Sequence, residues 1–421
     1  MATGMAVLCI LIAAYAVLAV KLGQWSITMP MVFVLLGFVL GPGVSGLLPI
    51  SPGTEGVMTL TEITLALILF ADASTLDLRK VGQDAALPLR LLGIGLPLTI
   101  ILGALIGLFL TAGEGLAFAA LLGAILAPTD AALGLPIFNN PMVPLRIRQA
   151  LNVESGLNDG IATPFVALFL AFAIATEQHW QSGWLVGALI EIVVAVVAGA
   201  LIGKVGGWML AQAAQRGWTG SGTEQIAILG LALAAYYTSL ALHGNGFIAA
   251  FVGGIVFGAS TRNRFTEQTE FVETAGSFLS LLVWGIFGAV LLPVALQYTT
   301  SLRPLVYAIL SVTVVRMLPV AIAMFRTGLR PDSIAIMGWF GPRGLASVVF
   351  TLMAFAAFNE SGRPVDTLAS TAVWTILLSV LLHGLSAVPL AKWYGARLAT
   401  ASSAHVELAE TAETHARHAI W

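Results

Sequence analysis

The side chains best suited to bind a small cation lie in the segment Glu154–Gly160, whose sequence is ESGLNDG. Successive residues of an α-helix turn by about 100°, so Ser155 and Asp159 fall one turn apart on one line. Glu154 and Asn158 fall on the adjacent line. One helix face therefore offers a carboxylate and a hydroxyl together. This all-oxygen set suits a hard cation such as Na⁺ or Li⁺, and it contains no His or Cys that would favour zinc or copper.

The composition places these polar groups inside a membrane. Of the 421 residues, 58% are hydrophobic and only 10% are charged, whereas soluble domains carry about 25% charged residues. With about 20 apolar residues for each crossing, the chain has room for a dozen or so spanning helices. The net charge of −2 argues against nucleic acid as a partner, and the single Cys9 excludes a disulfide framework and a thiolate metal cluster.

Apolar runs separated by loops that gather Gly, Pro and charge predict an all-α polytopic membrane protein with thirteen spans. The predicted spans cover residues 5–20, 28–41, 57–76, 88–111, 115–138, 149–175, 184–203, 224–242, 246–260, 274–296, 304–325, 333–357 and 367–391. Cytoplasmic loops carry the excess of Lys and Arg. Most basic residues fall in inner loops or the tail only if the N-terminus lies outside and the C-terminus in the cytoplasm.

Charged side chains inside the predicted spans are candidates for function, because each costs at least ~2.5–3.5 kcal/mol at the bilayer centre. The candidates are Asp72, Asp130, Glu154, Asp159, Arg316 and Arg343. Two further acids in spans, Glu62 and Glu191, are interpreted as structural. An internal salt-bridge cluster would explain Glu154 with an arginine, but it would leave Asp130 and Asp159 without enough cations.

The fifth and twelfth predicted spans are each interrupted, by Pro128-Thr129-Asp130 and by Gly341-Pro342-Arg343-Gly344. Pro removes a backbone hydrogen bond and Gly loosens the turn. A break exposes two half-helix ends of opposite partial charge. Asp130 can balance the exposed N-termini and Arg343 the exposed C-termini, whereas two ordinary proline kinks would need no charge at either place.

The two broken spans are seven helices apart, so they run in opposite directions. This spacing predicts an inverted repeat that relates spans 1–6 to spans 8–13, with crossed discontinuous helices 5 and 12 and span 7 as a connector. Discontinuous helices at corresponding places of two inverted halves are typical of the midplane site of a secondary transporter. The Gly-rich seams at Gly199–Gly203 and Gly253-Gly254 predict close helix packing.

At these residues the chain resembles the sodium/proton exchanger branch of the monovalent cation:proton antiporter superfamily, the bacterial NhaP-type exchangers in particular. The most specific element is Glu154–Gly160, which is similar to the family's E-S-x-x-N-D signature. APTD at Ala127–Asp130 corresponds to the T-D of the family's unwound fifth helix. Four further segments carry the resemblance: LFADASTLDLR at 69–79, GNGFIAAFVGGIVFG at 244–258, VVRMLPV at 314–320 and GPRG at 341–344.

The resemblance implies that one carboxylate, Asp159, is the main carrier of both cation and proton. The implied set of cation- and proton-binding residues is Asp159, Asn158, Ser155, Thr129, Asp130 and Asp72. Glu154 and Arg316 would form a structural ion pair, with Arg343 serving the twelfth-span break. The sequence alone leaves open the swapped pairing of Glu154 with Arg343.

The resemblance also implies a homodimer in the bacterial inner membrane. The expected parts are a dimerisation half (1–85 and 213–300), a mobile ion-translocating core (86–180 and 301–395), a linker helix (181–212) and a short cytoplasmic tail (396–421). Neither a cofactor nor a nucleic-acid partner is expected, and the protein is not expected to be an enzyme.

The implied activity is electroneutral exchange of Na⁺ or Li⁺ for H⁺ by alternating access, since Asn158 in place of a second acid marks the one-for-one branch. Burial disfavours the charged form of a carboxylate, so Asp159 could hold either a proton or a cation near neutral pH. Competition for it would couple the two fluxes. Transport of K⁺, the pH of activation and direct contact of Asp72 with the ion stay open.

Two other classes of protein share part of this pattern. A sodium-coupled symporter of an organic anion has a similar crossed-helix fold, but it would need a roomy substrate cavity and no obligatory proton-carrying aspartate. An intramembrane aspartyl protease needs two membrane acids, but its Gly-x-Gly-Asp type of motif is missing from the sequence. The exchanger therefore fits the residues better than either alternative.

Overall fold

The computed structural model describes residues 2–50, 54–76, 86–111, 113–138, 140–175, 184–398 and 407, and these residues form helices and no strand. The helices are α1 (Ala2–Gln24), α2 (Met29–Leu40), α3 (Glu55–Ser74), α4 (Ala86–Leu110), α5a (Gly115–Ile125), α5b (Ala131–Phe138), α6 (Leu145–Ile174), α7 (Trp184–Gln215), α8 (Ser221–Ala241), α9 (Gly246–Thr261), α10 (Thr266–Tyr298), α11 (Arg303–Ala323), α12a (Pro331–Trp339), α12b (Leu345–Glu360) and α13 (Asp366–Leu398).

Each predicted span has a helix, or a pair of helices, at its position. Among the described residues, nine helices are long and apolar enough to cross a membrane, and four further apolar helices are shorter. The short ones are α2, α5a, α9 and α12b. Parts of the 69–79 segment, of the predicted linker and of the predicted tail lie outside the described residues. The prediction of an all-α polytopic membrane protein is confirmed.

Several helices are longer than the predicted spans. Helix α6 begins at Leu145 and not at 149, α10 begins at Thr266 and not at 274, and α7 continues to Gln215 although its predicted span ends at 203. The helix of α7 thus extends past Lys204, beyond the apolar run that predicted the span. Hydropathy marks only the apolar part of a helix, and an exposed lysine can extend its side chain away from an apolar surface without ending the helix.

Helix α11 contains an interruption that the sequence analysis missed. It consists of the segments Arg303–Val312 and Val314–Ala323, with Thr313 between them at φ −110° and ψ −89°. Thr313 stands in a run of β-branched residues, which have the stiffest side chains in a helix. The interruption lies close in sequence to Arg316, one of the two arginines selected above as candidates.

The described chain divides into two compact units. The first comprises Met1–Met58, Ala86–Ser155 and Leu281–Trp421, and the second comprises Thr59–Ala85 and Gly156–Ser280. Helix α6 runs without interruption from residue 155 of the first unit to residue 156 of the second. The predicted division into a dimerisation half and a mobile core stays a prediction.

In the first unit, apolar side chains from α4, α5b, α6, α11, α12a and α13 form one core. Leu91, Ile137, Ile147, Met337 and Tyr394 are each 0% exposed in this core. Met337 is two residues before the end of α12a. The core therefore holds the first half of the broken twelfth helix in place.

Glu407 is the one described residue beyond Leu398, and it contacts the start of α12a. Its Oε1 accepts hydrogen bonds from the Arg330 amide at 2.6 Å and from the Ser333 hydroxyl at 2.7 Å. The Tyr394 hydroxyl donates to the same Ser333 oxygen at 2.8 Å. A carboxylate in this position stabilises the positive end of the α12a dipole.

In the second unit, the predicted Gly seams allow backbones to meet. A Cβ added at Gly199 would overlap the Ala249 carbonyl, and a Cβ added at Gly203 would overlap the Gly253 carbonyl. A Cβ added at Gly254 would likewise overlap the Phe70 carbonyl. Small residues at such crossings let membrane helices approach closely, so the prediction of close packing at these seams is confirmed.

Close packing of α2 on α10 in the first unit gives a test of this principle. We expect Gly288→Ala to lower the thermal midpoint in detergent, because the new Cβ would overlap the Val34 carbonyl and overpacking costs about 1–3 kcal/mol. Gly285→Ala on the same helix is the matched control, since its Cβ would enter open space. Equal midpoints for the two variants, measured by dye-free differential scanning fluorimetry, would contradict the packing.

Candidate functional site

The two predicted helix interruptions are present, and they touch. Residues 126–130 separate α5a from α5b, and residues 340–344 separate α12a from α12b; we call these the α5 break and the α12 break. The Asp130 amide donates a hydrogen bond of 2.8 Å to the Pro342 carbonyl. A backbone amide of the α5 break therefore finds its hydrogen-bond acceptor in the α12 break.

The Asp130 carboxylate caps two half-helices at once. Its Oδ1 accepts from the amides of Ala132 at 2.6 Å and Leu133 at 3.2 Å, which begin α5b. Its Oδ2 accepts from the Leu345 amide at 2.9 Å, which begins α12b. An acid at a helix N-terminus meets both the unsatisfied amides and the positive end of the dipole. This geometry is the one predicted for compensation of the breaks; a role of Asp130 as cation ligand stays a prediction.

Gly344 is required where it stands because the Asp130 carboxylate fills the space beside it. A Cβ at Gly344 would overlap both Oδ2 and Cβ of Asp130. The glycine in GPRG thus permits the acid of one break to reach the helix of the other.

Arg343 lies where helices end and leave unpaired carbonyl groups. The side chain is fully buried. Its guanidinium donates to the Gly341 carbonyl at 2.9 Å and to the Ser311 carbonyl at 3.1 Å. Gly341 follows the end of α12a, and Ser311 precedes the interruption of α11. A buried cation at helix C-termini offsets their partial negative charge, as the sequence predicted for the α12 break.

Glu154 pairs with Arg316, not with Arg343. Nη1 of Arg316 donates to Oε1 of Glu154 at 2.5 Å, and Nη2 donates to Oε2 at 2.8 Å. Both side chains are 2% exposed. Gly341 passes so close that a Cβ there would overlap the Arg316 guanidinium. The pair therefore cancels two buried charges directly beside the α12 break.

The α5 break also contacts the start of the ESGLNDG segment. The hydroxyls of Thr129 and Ser155 form a hydrogen bond of 3.2 Å, and both residues are buried. Two oxygens that were separated by 26 positions in the sequence are thus brought together. Hydroxyl and backbone oxygens of this kind are ligands for a hard monovalent cation.

Asp159 lies one turn beyond Ser155 on the same helix. It is the fifteenth of the thirty residues of α6, so it stands halfway along the helix. Asn158 next to it is buried, and Thr163 donates its hydroxyl to the Asp159 carbonyl at 2.8 Å. The carboxylate predicted to carry the ion is therefore placed far from either end of a long apolar helix.

The glycine that ends ESGLNDG has a packing role in the second unit. A Cβ at Gly160 would overlap the ring of Phe251 on α9. Asp72 belongs to the same unit and is buried near the end of α3. Direct contact of Asp72 with an ion stays a prediction, as do the ligand roles of the other residues in the set.

Three polar residues near the breaks were missed by the sequence analysis. Ser347 donates its hydroxyl to the Ile125 carbonyl, the last of α5a, at 2.7 Å. On α13, Ser379 contacts Arg343 of the α12 break, and His383 contacts Trp339 at the end of α12a. The available signal was a polar side chain within an apolar span, the same signal that selected the charged residues.

This chain has membrane-crossing helices with two touching breaks, and one acid and one arginine bind the exposed helix ends. Such an arrangement is typical of secondary transporters. The family model described as "Sodium/hydrogen exchanger, transmembrane" matches residues 7–393. The chain belongs to this family, and its members are transporters and not enzymes.

Relatives and solved structures agree with the family. The Na⁺/H⁺ antiporter NhaP of Pseudomonas aeruginosa is 27% identical over 300 residues, 68% of each chain. The Na⁺/H⁺ antiporter NhaH of Halobacillus dabanensis is 27% identical over 386 residues, 86% of this chain and 91% of its own. The structure of the sodium proton antiporter MjNhaP1 from Methanocaldococcus jannaschii at pH 8 shares the fold, with a TM-score of 0.75 at 19% identity over 91% of this chain and 98% of that chain.

The buried ion pair gives a stability prediction. We expect Glu154→Ala to lower the thermal midpoint and the yield of folded protein, because Arg316 would keep an uncompensated buried charge at a cost of about 3–5 kcal/mol. The double variant Glu154→Ala/Arg316→Met should regain much of the loss, since it removes both charges. An unchanged midpoint in the single variant would show that the pair does not hold the fold.

Proposed function

We propose that this protein exchanges Na⁺ or Li⁺ for H⁺ across the bacterial plasma membrane by alternating access. Membership of the sodium/hydrogen exchanger family and the names of the relatives support this activity. The single observation that carries it is the arrangement around α6. The Asp159 carboxylate stands halfway along α6, one turn after Ser155. The Ser155 hydroxyl bonds to Thr129 in the α5 break.

Two acids near this arrangement have structural partners. Nη1 and Nη2 of Arg316 bind Glu154, and both oxygens of Asp130 accept backbone amides. Charge-assisted hydrogen bonds of this kind hold helices and helix ends together. The alternation between a proton and a cation is assigned to Asp159 by the resemblance of ESGLNDG to the family's signature.

Transport follows from competition at Asp159. With a bound proton or a bound cation, the carboxylate is neutralised and the ion-translocating core can change its exposure from one side to the other. With neither, the bare charge opposes movement through a low-dielectric region. Ser155, Asn158, Thr129 and Asp72 supply further oxygens to the cation. The protein works as a homodimer with its N-terminus outside.

Removal of the carrier acid is the direct test. We expect Asp159→Asn to abolish exchange and to leave expression intact, because an amide can neither release a proton nor neutralise a cation. The assay is Na⁺-driven dequenching of acridine orange in proteoliposomes. Glu191→Gln is the matched control, since it also converts a membrane carboxylate to an amide but its side chain is exposed. An Asp159→Asn protein that still collapses a pH gradient on addition of Na⁺ would refute the proposal.

The one-for-one stoichiometry has a separate test. Because one cation replaces one proton on a single carboxylate, no net charge moves, and an imposed membrane potential should leave the initial exchange rate unchanged. The measurement uses proteoliposomes with the potential set by K⁺ and valinomycin, after K⁺ itself has been tested as a substrate. A rate that rises steadily with the potential would exclude electroneutral exchange by this site.

A further inference from the structure

The α12 break separates two backbone groups that an intact helix would join. In a continuous α-helix the amide of residue 343 would donate to the carbonyl of residue 339. Here α12a ends at Trp339 and α12b begins only at Leu345. The Arg343 amide has therefore lost its helical acceptor, and the Trp339 carbonyl keeps only one backbone donor, the Gly341 amide at 2.8 Å. An amide left unpaired inside the protein is costly.

Helix α13 supplies a partner to each of them. The Arg343 amide donates to the Ser379 hydroxyl oxygen at 2.7 Å. The Nε2 of His383 lies 2.7 Å from the Trp339 carbonyl oxygen. Because a carbonyl oxygen can only accept, Nε2 is the donor of this hydrogen bond.

The two partners also contact each other, one turn apart on α13. The Ser379 hydroxyl lies 3.1 Å from His383 Nδ1. Ser379 and His383 therefore join the Arg343 N–H to the Trp339 carbonyl through three polar contacts.

His383 and Ser379 are enclosed, so water does not replace them. Their exposures are 1% and 0%. The Nδ1 of His383 also lies 2.7 Å from the Ser379 carbonyl, and the Trp339 ring packs on the imidazole with centroids 5.2 Å apart. The guanidinium groups of Arg343 and Arg316 both act electrostatically on the imidazole.

We propose that Ser379 and His383 are positioning residues that replace the backbone hydrogen bond severed by the α12 break. They fix the spacing between α12a and α12b. This spacing sets where the Arg343 guanidinium and the Leu345 amide lie, and the Leu345 amide binds Asp130. The last helix therefore holds the geometry at which the two breaks meet.

The test compares three variants of the full-length protein. In His383→Gln, the side-chain amide can still donate to the Trp339 carbonyl, so that contact is kept. In His383→Phe, the ring volume is kept and the polar contacts are lost. Ser379→Ala removes the acceptor of the Arg343 amide, and it replaces His383→Phe as the test if that variant does not fold. Ser370→Ala is the matched control, because Ser370 on the same helix is also buried but bonds to the Asp366 carbonyl of its own helix.

The first readout is hydrogen–deuterium exchange of peptides that cover residues 338–346. We expect His383→Phe and Ser379→Ala to raise amide exchange there about tenfold, which is the range for the loss of one buried hydrogen bond. His383→Gln and Ser370→Ala should stay within about twofold of the parent protein. Peptides from α8 serve as an internal reference for global unfolding.

The second readout rests on the proposed exchange function: the maximal Na⁺/H⁺ exchange rate should fall about tenfold in His383→Phe and be restored in His383→Gln. Parent-like amide exchange in both His383→Phe and Ser379→Ala would overturn the inference. So would a His383→Gln variant as disturbed as His383→Phe. If the parent protein itself exchanged no Na⁺, the proposed function would fail, while the amide-exchange result would still decide the role of the two residues.

Discussion

A helix broken inside a membrane leaves backbone amides and carbonyls that no water can satisfy, and the rest of the site depends on how those groups are paired. In this protein the α5 and α12 breaks pair partly with each other, through the bond from Asp130 to Pro342. The remaining ends are met by side chains of matching polarity. One carboxylate binds the amides that open two half-helices, and one guanidinium binds carbonyls at two helix ends. Residues of both breaks are buried or half-buried, and these polar groups are paired within the protein.

This pairing also explains why charged residues can be numerous near the breaks while only one is proposed to carry ions. Asp130 and Arg343 are tied to helix ends, and Glu154 is tied to Arg316. Each of these groups meets an opposite charge or dipole. Asp159 stands on the same helix as Glu154, five residues further on and beyond Ser155, which contacts Thr129. The proposed carrier is thus a different acid from the two that bind helix ends and Arg316.

Glycine has a consistent role at these contacts. Gly344 admits the Asp130 carboxylate, Gly341 admits the Arg316 guanidinium, and Gly160 admits the Phe251 ring. None of the three was selected by the sequence analysis for this reason. Glycine was interpreted there as a loosening of the turn, whereas its main effect here is to leave room for a specific neighbour. The motifs ESGLNDG and GPRG thus combine polar residues with glycines that leave room for a neighbouring side chain.

The sequence by itself determined the class of fold, the position of each apolar helix, the two breaks and the acid and base that compensate them, because hydropathy, Pro and Gly, and the cost of buried charge are all local signals. It left open whether Glu154 pairs with Arg316 or Arg343, and it missed the interruption at Thr313 and the contacts of Ser347, Ser379 and His383. Those outcomes depend on which helix lies beside which, over separations of up to 222 positions in the chain. Only the tertiary structure decides them, since a buried polar group takes the partner that packing brings within hydrogen-bond distance, and no pattern along one helix specifies that partner.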